Sequence, residues 1–310
     1  MHKHYNSTIS RHKYFFLEKL YNYLLIIVLL LSSLPSLGQV DWDGGGADDN
    51  WNTAANWVGD VIPTATDAVR TTSNFNVVIP AGYHAVAQNI IVMHSSNLTV
   101  NGELTINNSV GIGILVELSN SSLTNNGIIN VSNTGTNGIE VKTTCTNGGT
   151  INIENTGTNG LRMGKILDNS GDINIGPNIG IHGIELFGTV NNIITNLPSG
   201  QINIMDAGVN DNGIGRQFSG GTFNNQGFLC IEDANVDSDN IHAEVTFNNT
   251  GTFNTTGCTT AGGIPANIPT LSEWGLFILA LLLMTFGTLY LLKPNQSNFE
   301  ANTNTIKLRK

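Results

Sequence analysis

The sequence predicts an all-β protein: a right-handed parallel β-helix, a solenoid of about 22 residues per coil, with a signal peptide before it and one transmembrane helix after it. Three observations carry this reading. A Gly-centred segment recurs along the middle of the chain. Apolar and polar residues alternate inside each recurrence. The two ends hold apolar stretches that the middle lacks.

Residues 1–38 read as the signal peptide. Lys3, Arg11, Lys13 and Lys19 precede the apolar stretch LLIIVLLLSSLPSL at 24–37, and Ser36-Leu37-Gly38 sets small residues where signal peptidase reads. A cut near Gly38/Gln39 follows. The alternative is an uncleaved signal anchor, against which stand the short apolar core and Pro35. Position 39 is not Cys, so a lipid-modified N-terminus is not expected.

Residues 39–80 read as a Trp-rich cap. DWDGGGADDNWNTAANWVGDVIPTATDAV (41–69) holds Trp42, Trp51 and Trp57, three of the four tryptophans. The first coil of a solenoid exposes apolar side chains and unpaired strand edges unless something covers it, and large aromatics suit that task. Two other uses stay open. The indoles could form a sugar-stacking platform, or Asp41, Asp43, Asp48 and Asp49 a Ca²⁺ loop, although their spacing matches no known loop. Trp42, Trp51, Asn56, Trp57, Pro63, Asp67 and Val69 together resemble the Trp-rich opening of many exported bacterial β-helix proteins of the adhesin and autotransporter-passenger kind. The resemblance implies that the first coils follow, and says little of a ligand.

Residues 81–257 read as the coils. NNGIINV (125–131), NGGTINI (147–153), NSGDINI (169–175), PSGQINI (198–204) and NQGFLCI (225–231) place Gly127, Gly149, Gly171, Gly200 and Gly227 at spacings of 22, 22, 29 and 27 residues. A second series, TNGIEV (136–141), TNGLRM (158–163), IHGIEL (181–186) and DNGIGR (211–216), falls between. Each coil thus holds two Gly-started strands and a looser third segment such as SSLT or KTTCT. Within TINI, Ile151 and Ile153 point one way, Thr150 and Asn152 the other. Strands this short are unstable alone; stacked at about 4.8 Å per coil, each backbone group gains a partner. Gly, often with Asn before it, is expected to supply left-handed backbone at the corners. Stacked Asn side chains can bond along the axis. The rival fold is an antiparallel β-sandwich, against which the 22-residue register counts.

Composition excludes some functions. Between 39 and 267 five Lys and Arg face twenty Asp and Glu, a net of −15. An acidic exported body repels phosphate backbones, so nucleic acid is not an expected partner. Cys145, Cys230 and Cys258 lack metal-ligand spacing; export allows one disulfide, with Cys230–Cys258 the nearer pair. No catalytic motif, cofactor fingerprint or metal set is legible. His84, His94, His182, His242, Arg162 and Arg216 are scattered along the chain. The repeat breaks at FGTVNNIITNLP (187–198), and beyond it Asp206, Asp211 and Arg216 make a possible surface patch. Arg216 falls in the slot of Val141, Met163 and Leu186, so a bulged strand or an outward Arg is expected there.

After a linker at 258–267 comes a C-terminal cassette, with sorting motif and helix at 268–292 and a basic cytoplasmic tail at 293–310. Trp274–Leu292 carries no charge and is long enough to span a bilayer, or nearly so. Trp274 and Lys293 suit the two interfaces. Ile268, Pro269, Thr270, Leu271, Ser272, Glu273, Trp274 and Gly275 closely resemble the IPTL-CTERM protein-sorting domain, related to the PEP-CTERM signals handled by exosortase-type membrane enzymes. The resemblance implies export, transient anchoring, then processing or surface sorting, often alongside a polysaccharide matrix. A plain stop-transfer anchor is the alternative. The expected product is a non-enzymatic, adhesin-like or structural protein of the cell surface or matrix, with surface glycans as possible partners. The other expectation is a carbohydrate-active β-helix enzyme, a lyase or hydrolase.

Overall fold

A computed structural model describes Tyr23 and residues 38–117, 120–188, 192–205, 213–218, 220–232 and 240–258. The signal peptide, most of the linker, the sorting motif, the transmembrane helix and the tail lie outside the described residues, as do Asp206 and Asp211. Among the described residues no helix is long and apolar enough to cross a membrane.

The alternation in each repeat becomes a parallel β-helix of about seven turns, built from three eight-stranded parallel sheets. One coil shows the plan: Ile139–Val141 lies in the first sheet, Thr144–Asn147 in the second and Thr150–Thr156 in the third. The next coil repeats it with Leu161–Met163, Ile166–Asn169 and Asp172–Ile175. The first coil begins at Ala68–Thr71, which pairs with Asn89–Val92. The third segment of each coil, expected to be loose, is a regular strand. Its inward residues Leu123, Cys145 and Leu167 are buried and stacked, so SSLT and KTTCT alternate as the Gly-started strands do.

Apolar residues fill the inside of the coils. Ile129, Ile151, Ile173 and Ile202 stand in one register column, and Val131, Ile153, Ile175 and Ile204 in the next. Ile151 and Ile173 are fully buried, one above the other, as the alternation requires. Towards the last coils the fillers become rings. Phe223 and Phe247 are 6.0 Å apart between centroids, Phe247 and Phe253 5.5 Å.

The repeat glycines serve a purpose other than the one expected. Gly149 does not have a positive φ. A Cβ there would lie 2.1 Å from the carbonyl oxygen of Gly127 in the coil before, so close stacking demands glycine. Left-handed backbone is found instead at other positions, among them Asn108, Asn133, Asn155 and Asn178, with φ between 52° and 62°. Asparagine tolerates that region better than most residues.

An Asn two residues before the repeat glycine, four before Gly200, forms an internal ladder. Asn125, Asn147, Asn169, Asn196 and Asn225 are fully buried. Each donates from Nδ2 to the Oδ1 of the next, at 2.7–2.8 Å, and the run ends on Asn249. The same Nδ2 groups also reach backbone carbonyls of the next coil, such as Asn147 to Asp172 at 3.1 Å and Asn225 to Thr252 at 2.9 Å. Buried amides are tolerated because nearly every hydrogen-bonding group is used.

The N-terminal segment closes the first coil. Gln39–Trp42 pairs in parallel with Ala68–Thr71. Trp42, Trp51 and Trp57 are 0–1% exposed and meet edge to face, with centroids 4.8 and 4.7 Å apart. With their faces covered, these three indoles offer no sugar platform. Asn56 holds the loop: it accepts from Gly46 N at 2.9 Å and donates to the carbonyls of Asp48 and Asn50 at 2.9 and 3.0 Å. Asp43 and Asp48 accept from backbone amides two residues on, at 3.1 Å each. Among the described residues no group of three or more His, Cys, Asp or Glu is placed to hold a metal.

Arg70 ties the cap to the first coil, donating to Asp41 at 3.1 and 2.8 Å. This hydrogen bond holds the Asp41 carboxyl below the usual carboxylate range. The folded value lies below the unfolded one. The pair therefore contributes fully above the unfolded value, near 4, and its contribution is lost as pH falls through the folded value. Arg70→Gln removes that contribution at neutral pH. On acidification below about pH 4, Trp fluorescence of the parent should red-shift more than that of the variant. Identical titrations would rule the pair out as a cap fastening.

Candidate functional site

The outward residues of the three sheets differ, and the first sheet carries a column in which charge alternates in sign. Its outward column runs Ile91, Leu115, Glu140, Arg162, Glu185, Gly215, fixed by strand register. Arg162 Nη1 is 3.2 Å from Glu140 Oε2, and its Nε is 2.5 Å from Glu185 Oε2. Nη2 donates to Gln217 Oε1. The guanidinium lies 3.8 Å over the Phe187 ring, a favourable placement of a cation on a π face. Lys142 Nζ is 3.4 Å from Glu117 and 3.9 Å from Glu140.

Amides complete the shell. Asn137 Nδ2 donates to Glu140 Oε2 at 2.8 Å, and Asn159 Nδ2 donates to Glu185 Oε2 at 3.1 Å and to Asn137 Oδ1 at 3.0 Å. His182, largely buried, lies where a Cβ on Gly215 would be, 2.2 Å from its ring. Glu140 and Glu185 are only 4% and 8% exposed, so their pairing decides whether they are tolerated. Chemically, Arg162 fills the space between the carboxylates, where a glycosidic bond would have to lie for paired acid–base attack.

This cluster was legible only across coils. Glu140, Arg162 and Glu185 occupy the same slot of GIEV, GLRM and GIEL, so charge alternates from one coil to the next. A scan along the chain shows Arg162 as isolated.

Of the patch expected at Asp206, Asp211 and Arg216, only Arg216 is described, and it is half-buried. Its strand is regular and in register with Leu186, without a bulge. The side chain is 3% exposed and points into the inward slot. The charge is tolerated because Glu244 answers it: Nη1 donates to the Glu244 carbonyl at 2.9 Å and lies 3.3 Å from its carboxylate. Nη2 has no hydrogen-bond partner among the described residues.

The third sheet carries a second amide ladder on its outward side, in which Asn130, Asn174 and Asn203 are themselves buried. Asn152 donates to Asn130 at 2.9 Å, Asn174 to Asn152 at 3.0 Å and Asn203 to Asn174 at 3.0 Å. The next residue of the column is Cys230, which has no amide to give, and Asn203 Oδ1 is left without a donor. Cys230 is instead bonded to Cys258 across 28 residues. On the chain-entropy account such a loop contributes about 3–4 kcal/mol. A disulfide of this kind fits an oxidising compartment. Cys145 is free and buried, its thiol pushed up to about 12 by burial, which makes it a core filler.

The described residues define a parallel β-helix protein with its outer side chains paired across coils. Residues 266–289 match the family model of the IPTL-CTERM motif. The chain thus carries an IPTL-CTERM motif after a parallel β-helix, and the motif points to export and association with the cell envelope. No curated protein and no solved structure matches it.

Proposed function

We propose that this is a non-enzymatic surface or matrix protein, adhesin-like or structural, that presents the long faces of its β-helix as binding surfaces. Its signal peptide starts export, its C-terminal helix anchors it transiently, and an exosortase-like membrane enzyme takes it on through Ile268–Gly275. The observation that carries the reading is the pairing of outer side chains across coils. The charged column is closed on itself by Arg162, and the outward-side asparagines of the third sheet bond one another. Such ladders stiffen a rod, and Arg162 and the asparagines beside it occupy the Glu140 and Glu185 carboxylates.

The test is incubation with panels of acidic and neutral glycans, followed by assays for reducing and unsaturated ends. No cleavage is expected, together with binding to cells, glycans or further copies of the chain. The second reading, a carbohydrate-active enzyme, is favoured by one observation: Glu140 and Glu185 share an outer face with Arg162 and Lys142. Cleavage that disappears in Glu140→Gln and Glu185→Gln would establish that reading and remove the first.

A further inference from the structure

The second sheet has an outer face unlike the other two. Its two outward columns are made of short polar and β-branched side chains, and Asp168 is the single charge in them. No ion pair crosses this face among the described residues. At its two ends the amides pair, Asn97 with Asn76 and Asn248 with Asn224, each at 3.0 Å. Between them stand Thr146, Asp168 and Thr195 in one column, beside Ile166, Ile193 and Thr222 in the other. The Thr146 and Thr195 hydroxyls and the Asp168 carboxylate make no hydrogen bond to another described residue. Ile193 is 37% exposed in the centre of the group and stacks on Ile166.

We propose that this face binds a neutral, extended polysaccharide laid along the axis of the β-helix. The inference deepens the reading of the rod as a binding surface and rests on it. A sugar ring offers C–H groups on its faces and hydroxyls on its rim. Ile166 and Ile193 supply apolar contact for the first; Asp168 and the threonines supply acceptors and donors for the second. Strands recur about every 4.8 Å, so a chain lying along the axis meets an equivalent pair of side chains at each coil. Charge selects against acidic polymers: the body between 39 and 267 carries a net of −15, and these columns contain no Lys or Arg. A protein partner is a poorer fit, because the face has none of the Trp, Tyr or Arg anchors on which protein interfaces depend.

The test is affinity electrophoresis of the full chain in detergent, in gels containing glucomannan, mixed-linkage β-glucan or, for comparison, alginate. Retardation by a neutral polymer is expected, with affinity lowered about tenfold or more in Ile193→Arg and Thr195→Arg. Both positions are on the outward side, Ile193 exposed and Thr195 half-buried, and unchanged melting curves would show that each variant folds. Gln201→Arg, exposed on the third sheet, adds the same charge elsewhere and should bind as the parent does. The proposal is overturned by no retardation in any neutral gel, by retardation in alginate alone, or by equal loss in Gln201→Arg. It is overturned too if sedimentation shows that Thr195→Arg splits a dimer, since the face would then hold a second copy. Release of reducing ends from the gel polymer would instead overturn the non-enzymatic reading, so the two failures are distinct.

Discussion

Ile173→Asp is expected to lower the thermal midpoint of the β-helix by about 10–20 °C. Ile173 is fully buried between Ile151 and Ile202 in the inward column of the third sheet. The substitution removes an apolar side chain from a packed stack and puts an ionisable group with no partner in its place. Together these effects are worth about 5 kcal/mol. The matching change on the outer surface of the neighbouring coil, Asn152→Asp, should cost about 1 kcal/mol. It is not free, because Asn152 donates to Asn130, and a carboxylate there faces the Asn130 carbonyl oxygen instead. Differential scanning calorimetry of the two variants checks the assignment. Equal shifts would mean that inside and outside have been exchanged.

Asn169→Asp should be nearly as severe, although it changes neither size nor shape. Asn169 Nδ2 donates to Asn196 Oδ1 at 2.8 Å, to Gly171 O at 3.0 Å and to Gln201 O at 3.3 Å. An oxygen in that position faces three acceptors in a site with no solvent access. The expected loss is about 4 kcal/mol at pH 7. Its pH dependence has a definite sign. The new carboxyl would have a folded pKa raised above the unfolded value, so the destabilisation grows as pH rises above about 4 and shrinks below it, where the protonated acid can donate once more. Melting at pH 7 and at pH 4, against the parent at each pH, should show the gap closing on acidification. A gap that is the same at both would mean that the ladder does not depend on the amide donor.

How far the sequence discloses this architecture depends on the direction of reading. The recurrence around Gly127, Gly149 and Gly171 gives strands, coil length and core, because the repeat and the alternation both run along the chain. What the asparagines and glycines do there is set by the next coil. Asn147 looks like a corner residue until Asn125 and Asn169 are placed below and above it. Gly149 looks like a turn until the Gly127 carbonyl is placed beneath it. The same holds for charge. Glu140, Arg162 and Glu185 are 22 and 23 positions apart and look unrelated until the coils bring them into one column. Arg216 misleads for a further reason: its counter-charge, Glu244, comes from the following coil and from outside the repeated motif.

If the cassette delivers the β-helix that precedes it, the mass of the mature protein will show this most directly. Residues 266–289 match the IPTL-CTERM motif, and Pro269, Thr270, Ser272 and Glu273 are polar or turn-forming residues placed just before the apolar stretch. They would hold the cleavage point at the outer interface, within reach of a membrane-embedded enzyme. Intact mass spectrometry of the protein from the envelope fraction should find a chain that begins near Gln39 and ends between Ile268 and Gly275. Replacing Pro269 and Trp274 with Ala keeps the apolar stretch, and uncut protein should then collect in the inner membrane. Full-length protein in wild-type cells, with Leu276–Lys310 still attached, would contradict the account.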